Sequence, residues 1–224
     1  MDRDIKTKES EIREKVKRKL KRDERLFESD ITVSVKGGTI SLEGRVPATH
    51  ALRAAENDAY TVMGVRTVEN YLSIDPPSGY KQPTDLEIEE SVRSTLTWNN
   101  QIDSTDIDVI VKKGIVELNG SIGSYYEMKL AEEVCSTLNG VREVINNIVV
   151  NTRHDNNDEL IADNVFEALD SDPMVNSADI DIAINNGLVT LSGTVQDYAS
   201  ANAAHDALLY IPGLRGIVNN INIG

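Results

Sequence analysis

The sequence predicts an α+β protein of three tandem modules, each a small α/β sandwich with the element order α-β-β-α-β. Three glycines recur at a fixed spacing in three copies, and the apolar residues around them keep the same register. The second copy follows the first by 76 positions and the third follows the second by 73, with no gap inside a copy. The repeated glycines are Gly38, Gly44 and Gly64, then Gly114, Gly120 and Gly140, then Gly187, Gly193 and Gly213.

The first element of each copy is predicted to be a helix. Ile12, Val16 and Leu20 have the i, i+4, i+8 spacing of one narrow helical face. The same triplet recurs as Ile88, Val92 and Leu96, and again as Ile161, Val165 and Leu169. Each copy therefore begins with a helix that turns one face to the core.

A β-hairpin follows the first helix. Ile31, Val33 and Val35 alternate as the residues of a half-buried strand do, and a second strand begins directly after Gly38. Glycine readily adopts the positive φ angles that a tight hairpin turn requires. The corresponding turns of the other copies contain Gly114 and Gly187.

A second helix and a last strand complete each copy. Beyond Gly44 the apolar period returns to that of a helix, and we expect this helix to stop at Gly64, where a left-handed glycine would end it. The apolar face of the helix consists of Leu52, Ala55, Ala59 and Val62. The last strand carries Val68, Leu72 and Ile74.

The closing motif of each copy resembles that of the BON domain family. It reads G-V-R-T-V-E-N-Y-L in residues 64–72 and G-V-R-E-V-I-N-N-I in residues 140–148, and residues 213–221 hold a variant of it. A second family signature, an alternating apolar pair that ends in glycine, matches residues 116–120 and 189–193. The resemblance covers nearly the whole chain.

This resemblance implies a fold and a function. The fold would be a three-stranded mixed sheet with both helices on one face. The family is described as binding phospholipid surfaces in bacterial envelopes and as responding to osmotic stress, and the tandem arrangement is similar to that of osmotically inducible periplasmic members. Some members are secreted or are outer-membrane lipoproteins, and one cytoplasmic relative binds potassium.

The repeat also predicts where the modules begin and end. Thr84 and Asn157 stand where helix N-caps are expected, and Thr84 with Glu87 fits a capping box. The first linker is rich in proline and should be partly extended. The expected boundaries are 5–75, 85–151 and 158–224 for the modules, with linkers at 76–84 and 152–157.

The charge distribution argues against nucleic acid as a partner. The net charge is +1 for residues 1–75, −6 for 76–151 and −9 for 152–224, which gives −14 for the chain. Nucleic acid binding requires a basic face that neutralises phosphates. We therefore expect a non-enzymatic binding or stress-protection protein whose partner is something else.

No enzymatic chemistry, cofactor or metal site is predicted. His50, His154 and His205 occupy unrelated positions of the repeat, and neither a Cys/His ligand spacing nor a phosphate-binding glycine loop occurs. A group of aspartates in the third copy lacks the pattern of a calcium loop but leaves a cytoplasmic, potassium-responsive stress protein open as an alternative. These aspartates are Asp170, Asp172, Asp179 and Asp181.

The first helix is the basic element of the chain. Lysine and arginine surround its narrow apolar stripe, and such a helix attracts anionic phospholipid headgroups. A simple solvated outer face is the alternative, because the apolar stripe already belongs to the core and nearby carboxylates dilute the charge. The candidate lipid contacts on this element are Arg13, Lys17, Arg18, Lys21 and Arg25.

Trp98 is a further candidate for contact with a membrane interface or a protein partner. Its position is filled by Arg22 and Ser171 in the other copies, so the fold does not require an aromatic residue there. An exposed tryptophan sits well at a membrane interface. We nevertheless expect partial packing of the Trp98 ring under the loop that follows it.

Other recurring positions are assigned to structure. Asn70, Asn146 and Asn219 repeat in all copies, where an amide side chain can satisfy backbone groups beside the strand start. Cys135 takes a position that holds Ala59 in the first copy, so we expect it to pack in the core.

The expected partner is an anionic phospholipid surface, and a protein-interaction scaffold is the alternative. The N-terminal residues lack the apolar stretch of a secretory signal, and no apolar run is long enough for a membrane span. The sequence as it stands therefore predicts a cytoplasmic protein. Removal of a signal peptide would make a periplasmic location the alternative.

Overall fold

The computed structural model describes residues 2–27, 29–152 and 157–224, and it describes side chains from residue 7 onward. It confirms three modules with the predicted order of elements. Residues 153–156 of the predicted second linker, with His154 among them, lie outside the described residues.

The helices and strands fall into three equivalent sets. Module 1 contains α1 (Asp2–Leu20), β1 (Asp30–Lys36), β2 (Thr39–Val46), α2 (Thr49–Tyr60) and β3 (Thr67–Ile74). Module 2 contains α3 (Asp85–Trp98), β4 (Ile107–Lys112), β5 (Ile115–Ile122), α4 (Tyr125–Ser136) and β6 (Glu143–Val150). Module 3 contains α5 (Asp158–Ser171), β7 (Ile180–Asn185), β8 (Leu188–Val195), α6 (Tyr198–Asp206) and β9 (Gly216–Ile223).

Each module has a three-stranded sheet with its second strand in the centre. In module 1, β1 pairs with β2 antiparallel and β3 pairs with β2 parallel, so the sheet is mixed as predicted. Module 2 repeats this register: Asn146 lies beside Leu118, as Asn70 lies beside Leu42. The helical connection between the parallel strands crosses one face of the sheet.

Burial alternates along the strands, so one face of each sheet packs against helices. In module 1 the side chains of Val33, Ile40 and Leu42 are buried together with Val16 and Leu20 of α1. The predicted first-helix triplets of modules 2 and 3 are likewise buried. The cores are therefore aliphatic, and most aromatic rings are left at the surface.

The hairpin turns adopt the predicted positive φ angles. In module 1, φ is +59° at Gly37 and +84° at Gly38. The residue before the repeated glycine also has a positive φ in modules 2 and 3, where it is Lys113 and Asn186. A backbone hydrogen bond from the Arg66 N–H to the Gly38 carbonyl, 2.9 Å long, fastens this turn to the start of β3.

The prediction that the second helix stops at the third glycine is wrong. Helix α2 ends at Tyr60, and the backbone of its C-cap, Thr61, is still right-handed. Gly64 follows in a separate turn with φ +92°, where it directs the chain into β3. In module 3 the offset is larger, because α6 already ends at Asp206.

The predicted caps of α3 and α5 are confirmed. The Glu87 N–H donates to Thr84 Oγ1 at 3.3 Å, and the Thr84 N–H donates to Glu87 Oε2 at 2.7 Å, which completes the capping box. At the start of α5, the Glu159 N–H donates to Asn157 Oδ1 at 3.0 Å.

The chain forms two compact units. One comprises residues 1–80, 194–203 and 222–224, and the other comprises 81–193 and 204–221. Within the first unit, the buried carboxylate of Asp197 accepts a hydrogen bond from the Gly64 N–H at 2.7 Å. This contact gives a buried charge a backbone partner.

Candidate functional site

A short 3₁₀ turn, Glu24–Leu26, connects α1 to β1 and directs one apolar side chain into solvent. Asp23 caps this turn, because its Oδ1 accepts a hydrogen bond from the Arg25 N–H at 2.8 Å. Leu26 is buried in the core of module 1, whereas Phe27, the next residue, is 78% exposed. The anchor at Leu26 therefore fixes where the Phe27 ring emerges.

A groove of about 730 Å³ lies beside this turn. Arg18, Lys21, Arg22 and Phe27 line it, and we call these four residues the basic groove. Four carboxylates also line the groove: Glu14, Asp23, Glu24 and Asp30. Lys17 lines the groove as well, so four cations and four carboxylates surround the exposed Phe27 ring.

Three cations of the basic groove point into solvent without an acidic partner. Arg18, Lys21 and Arg22 are exposed, and no described carboxylate lies within ion-pair distance of any of them. Their charge is therefore available to an external anion. Lys17, Arg18 and Lys21 are among the predicted lipid contacts, and the structure brings all three together with Arg22 and Phe27 along the groove.

Three of the predicted contacts are engaged within module 1. Arg25 Nη2 lies 2.6 Å from Asp23 Oδ2, and this hydrogen-bonded guanidinium holds the pKa of Asp23 below its usual value. Lys17 Nζ lies 3.9 Å from Glu14 Oε1, and Arg13 Nη2 donates to Ser10 Oγ at 3.4 Å. These cations offer less attraction to an external anion than the cations of the basic groove.

Trp98 is the last residue of α3 and is 86% exposed, so the expectation that its ring packs under the following loop is wrong. The following residue, Asn99, caps the helix through its N–H, which donates to the Thr95 carbonyl. The chain then turns back to the core at buried Ile102 and leaves the Trp98 ring outside. Module 2 therefore has its own exposed aromatic ring at the end of its first helix.

The repeated asparagines connect the last strand to the second helix. Asn146 Nδ2 donates to the Met128 carbonyl at 3.0 Å and to Glu132 Oε2 at 3.4 Å, while its Oδ1 accepts from the Ile148 N–H at 3.2 Å. In module 1, Asn70 makes the equivalent bonds. In module 3, Asn219 accepts from the Ile221 N–H at 3.1 Å. The amides of Asn70 and Asn146 thus hold the second helix and the last strand together inside their modules.

Two of the four aspartates that left a cation-responsive role open serve local turns. Asp172 Oδ1 accepts from the Met174 N–H at 2.8 Å, and Asp179 Oδ2 accepts from Asn176 Nδ2 at 2.7 Å. Among the described residues, no group of three or more histidine, cysteine or acidic side chains is arranged to hold a metal ion. Local capping accounts for these two carboxylates.

Arg22 and Phe27 are the residues of this site that were not among the predicted lipid contacts, and Phe27 is the one that the sequence marks as unusual. The chain has only two phenylalanines, and the equivalent positions of the other copies hold Asp103 and Asn176. That departure from the repeat, immediately beyond a basic helix, is the signal that would have identified it.

Comparison with known proteins decides the family. The family model described as BON domain matches residues 8–76, 84–152 and 157–224, one match for each module. The chain belongs to the BON domain family. No described helix of this triple BON protein combines the length and the apolar composition that crossing a bilayer requires.

Three curated relatives each match part of this BON protein. Osmotically-inducible protein Y of Escherichia coli K12 is 25% identical over 61% of this chain and 71% of the relative. The 21 kDa hemolysin of Actinobacillus pleuropneumoniae is 30% identical over 60% of this chain and 70% of the relative. The outer membrane lipoprotein DolP of Haemophilus influenzae is 28% identical over 54% of this chain and 67% of the relative.

Proposed function

We propose that this triple BON protein is a non-enzymatic stress-protection protein of the bacterial envelope that associates with anionic phospholipid surfaces. The observation that carries the proposal is the basic groove, in which exposed Phe27 stands beside Arg18, Lys21 and Arg22. Each cation near a charged leaflet contributes about 1 kcal/mol, and an aromatic ring can enter the headgroup region. Trp98 is a second, separate point of contact.

The relatives support the setting of this proposal. One is named for osmotic induction, one is a hemolysin and one is an outer membrane lipoprotein. These names favour the periplasmic alternative over the cytoplasmic expectation. Three linked modules would also raise the effective concentration of each contact once one of them is engaged.

Vesicle co-sedimentation of the full chain tests the proposal. The protein should pellet with anionic vesicles at low salt, less at moderate salt, and not with neutral vesicles, because exposed charges are screened. The variant with Arg18→Glu and Lys21→Glu should lose about tenfold or more in affinity. Phe27→Ser should weaken binding without changing the net charge.

A charge-matched control separates the groove from overall charge. Lys36 and Lys112 are exposed at strand ends, and the variant with Lys36→Glu and Lys112→Glu changes the net charge by the same amount. It should keep most of the binding. An equal loss of vesicle binding in both double variants would show that the basic groove is not the binding site. Pelleting with neutral vesicles alone would show the same.

A protein-interaction scaffold is the second candidate. The outer face of the module 2 sheet exposes Ile110, Ile145 and Val149, with Val149 61% exposed. Glu117 lies between Ile110 and Ile145 in the register. Failure to pellet with any vesicle would favour a protein partner on such a surface.

A further inference from the structure

Helix α5 of module 3 presents an outward face that combines acid with exposed apolar side chains. Leu160 is 60% exposed and Phe166 is 57% exposed. Asp163 and Glu167 are exposed beside them, and neither forms an ion pair with a described cation. We call these four residues the acidic face.

The acidic face is independent of the part of α5 that supports the fold. Ile161, Val165 and Leu169 are buried and fill the core of module 3. A helix that packs only through this inner face usually carries polar residues on its outer face. Two large apolar side chains on the outer face are therefore not explained by the fold of the module. Their position suits a partner that is itself apolar and basic.

The basic groove has side chains of complementary charge and an exposed aromatic ring. Arg18 lies in the last turn of α1 and Arg22 in the turn that follows the helix, while Asp163 and Glu167 are about one helical turn apart on α5. Phe27 offers an exposed ring next to the arginines, as Phe166 does next to the acids. Opposite charges with apolar contacts beside them are the ingredients of a specific interface.

We propose that the acidic face of one chain docks on the basic groove of a second copy of this chain. The contact joins two different surfaces and is therefore heterologous, which gives head-to-tail assemblies that end only when the geometry closes a ring. It depends on opposite charge, so it weakens as salt rises. Because both surfaces are on every chain, assembly also depends on protein concentration. This proposal does not rest on lipid binding, although an anionic surface would compete for the same groove.

Sedimentation velocity of the full chain tests the docking. At low salt the sedimentation coefficient should rise with concentration across the micromolar range, and moderate salt should reverse the rise. Two single-sided variants, Arg18→Glu with Arg22→Glu and Asp163→Lys with Glu167→Lys, should each weaken self-association about tenfold or more. Circular dichroism checks that both remain folded.

Mixing the two single-sided variants is the decisive arm. In each variant alone, the groove and the α5 face carry charges of the same sign. In the mixture, a surface of one variant again meets a surface of opposite charge on the other, so hetero-association should return. The variant with Lys36→Glu and Lys112→Glu should associate as the parent does. A parent chain that stays monomeric at low salt would overturn the proposal, and so would a mixture that stays monomeric.

Vesicle binding distinguishes this proposal from the proposed function. The variant with Asp163→Lys and Glu167→Lys leaves the basic groove intact and should still pellet with anionic vesicles. If this variant no longer self-associates but still pellets with vesicles, the result supports docking through the acidic face. If its self-association is unchanged, the docking proposal is overturned, whatever the vesicle result.

Discussion

Lys19 Nζ lies 4.0 Å from Asp58 Oδ1, where α1 packs against α2. Asp58 is only 8% exposed, and its Oδ2 is buried without a hydrogen-bond partner. Burial, together with the nearby charge of Asp23, raises the pKa of Asp58 above its usual value. The Lys19 side chain is 44% exposed, so its attraction to the carboxylate is partly screened by solvent and does not offset the burial.

The replacement Asp58→Asn should raise the melting temperature at pH 7. A raised folded-state pKa means that ionisation costs stability as the pH rises from the ordinary value of 3.8 through the folded value. The gain should therefore shrink as the pH falls toward 4 and vanish below it. Thermal melts across this range measure the effect, with Asp181→Asn as an exposed control that should change little. A lower melting temperature at neutral pH would mean that the Lys19 contact dominates.

The replacement Asn146→Ala should destabilise module 2 by about 1–3 kcal/mol, because the Met128 carbonyl and the Ile148 N–H lose a partner beside the core. Its neighbour Asn147 is exposed, and its side chain donates to Asn119 Oδ1 at the surface. Asn147→Ala should therefore cost less than about 0.5 kcal/mol. Urea unfolding compares the two, and equal costs would show that the position of Asn146 is unimportant.

The replacement Gly120→Ala should cost about 2 kcal/mol or more. Gly120 has φ +130°, and a Cβ there would overlap the carbonyl oxygen of Asp106, the residue directly before β4. Gly123, three residues later, has room for a methyl group beside the flexible end of Glu127. Gly123→Ala should be nearly neutral, and urea midpoints of both variants test the contrast.

The thiol of Cys135 should be unreactive in the folded protein. It is fully buried in α4, and burial raises its pKa to about 12, so the nucleophilic thiolate is scarce at neutral pH. Reaction with a thiol reagent should be complete in denaturant and very slow without it. Rapid labelling of the native chain would show that α4 opens readily.

The repeat made the fold predictable, because the residue pattern of each helix face, strand and hairpin turn occurs three times in the chain. Thr84 and Glu87 revealed their cap because a capping box depends on neighbours in the chain. The helix ends were harder to place: α2 stops at Tyr60 although Gly64 has the positive φ that was expected to end it. A glycine shows where the backbone turns left-handed but not which element the turn serves.

The candidate site was less predictable because it depends on which cations form ion pairs and on which side chains are exposed to solvent. Arg25 counts as a surface cation in the sequence, but the turn after α1 folds it back onto Asp23. From the sequence alone, Phe27 could be a core residue. In the structure Leu26 fills the core position beside it, and Phe27 is exposed. Tertiary packing decides both outcomes, and no local pattern encodes it.

Trp98 is the single tryptophan of the chain, and it already stands in water when the protein is folded. Its fluorescence should therefore change little when the chain unfolds, because the indole keeps the same solvent on both sides of the transition. Anything that covers the ring, whether an acyl chain or another protein, should instead shift its emission to shorter wavelength. The molecule thus has a built-in optical reporter that responds to contact and is nearly silent to unfolding.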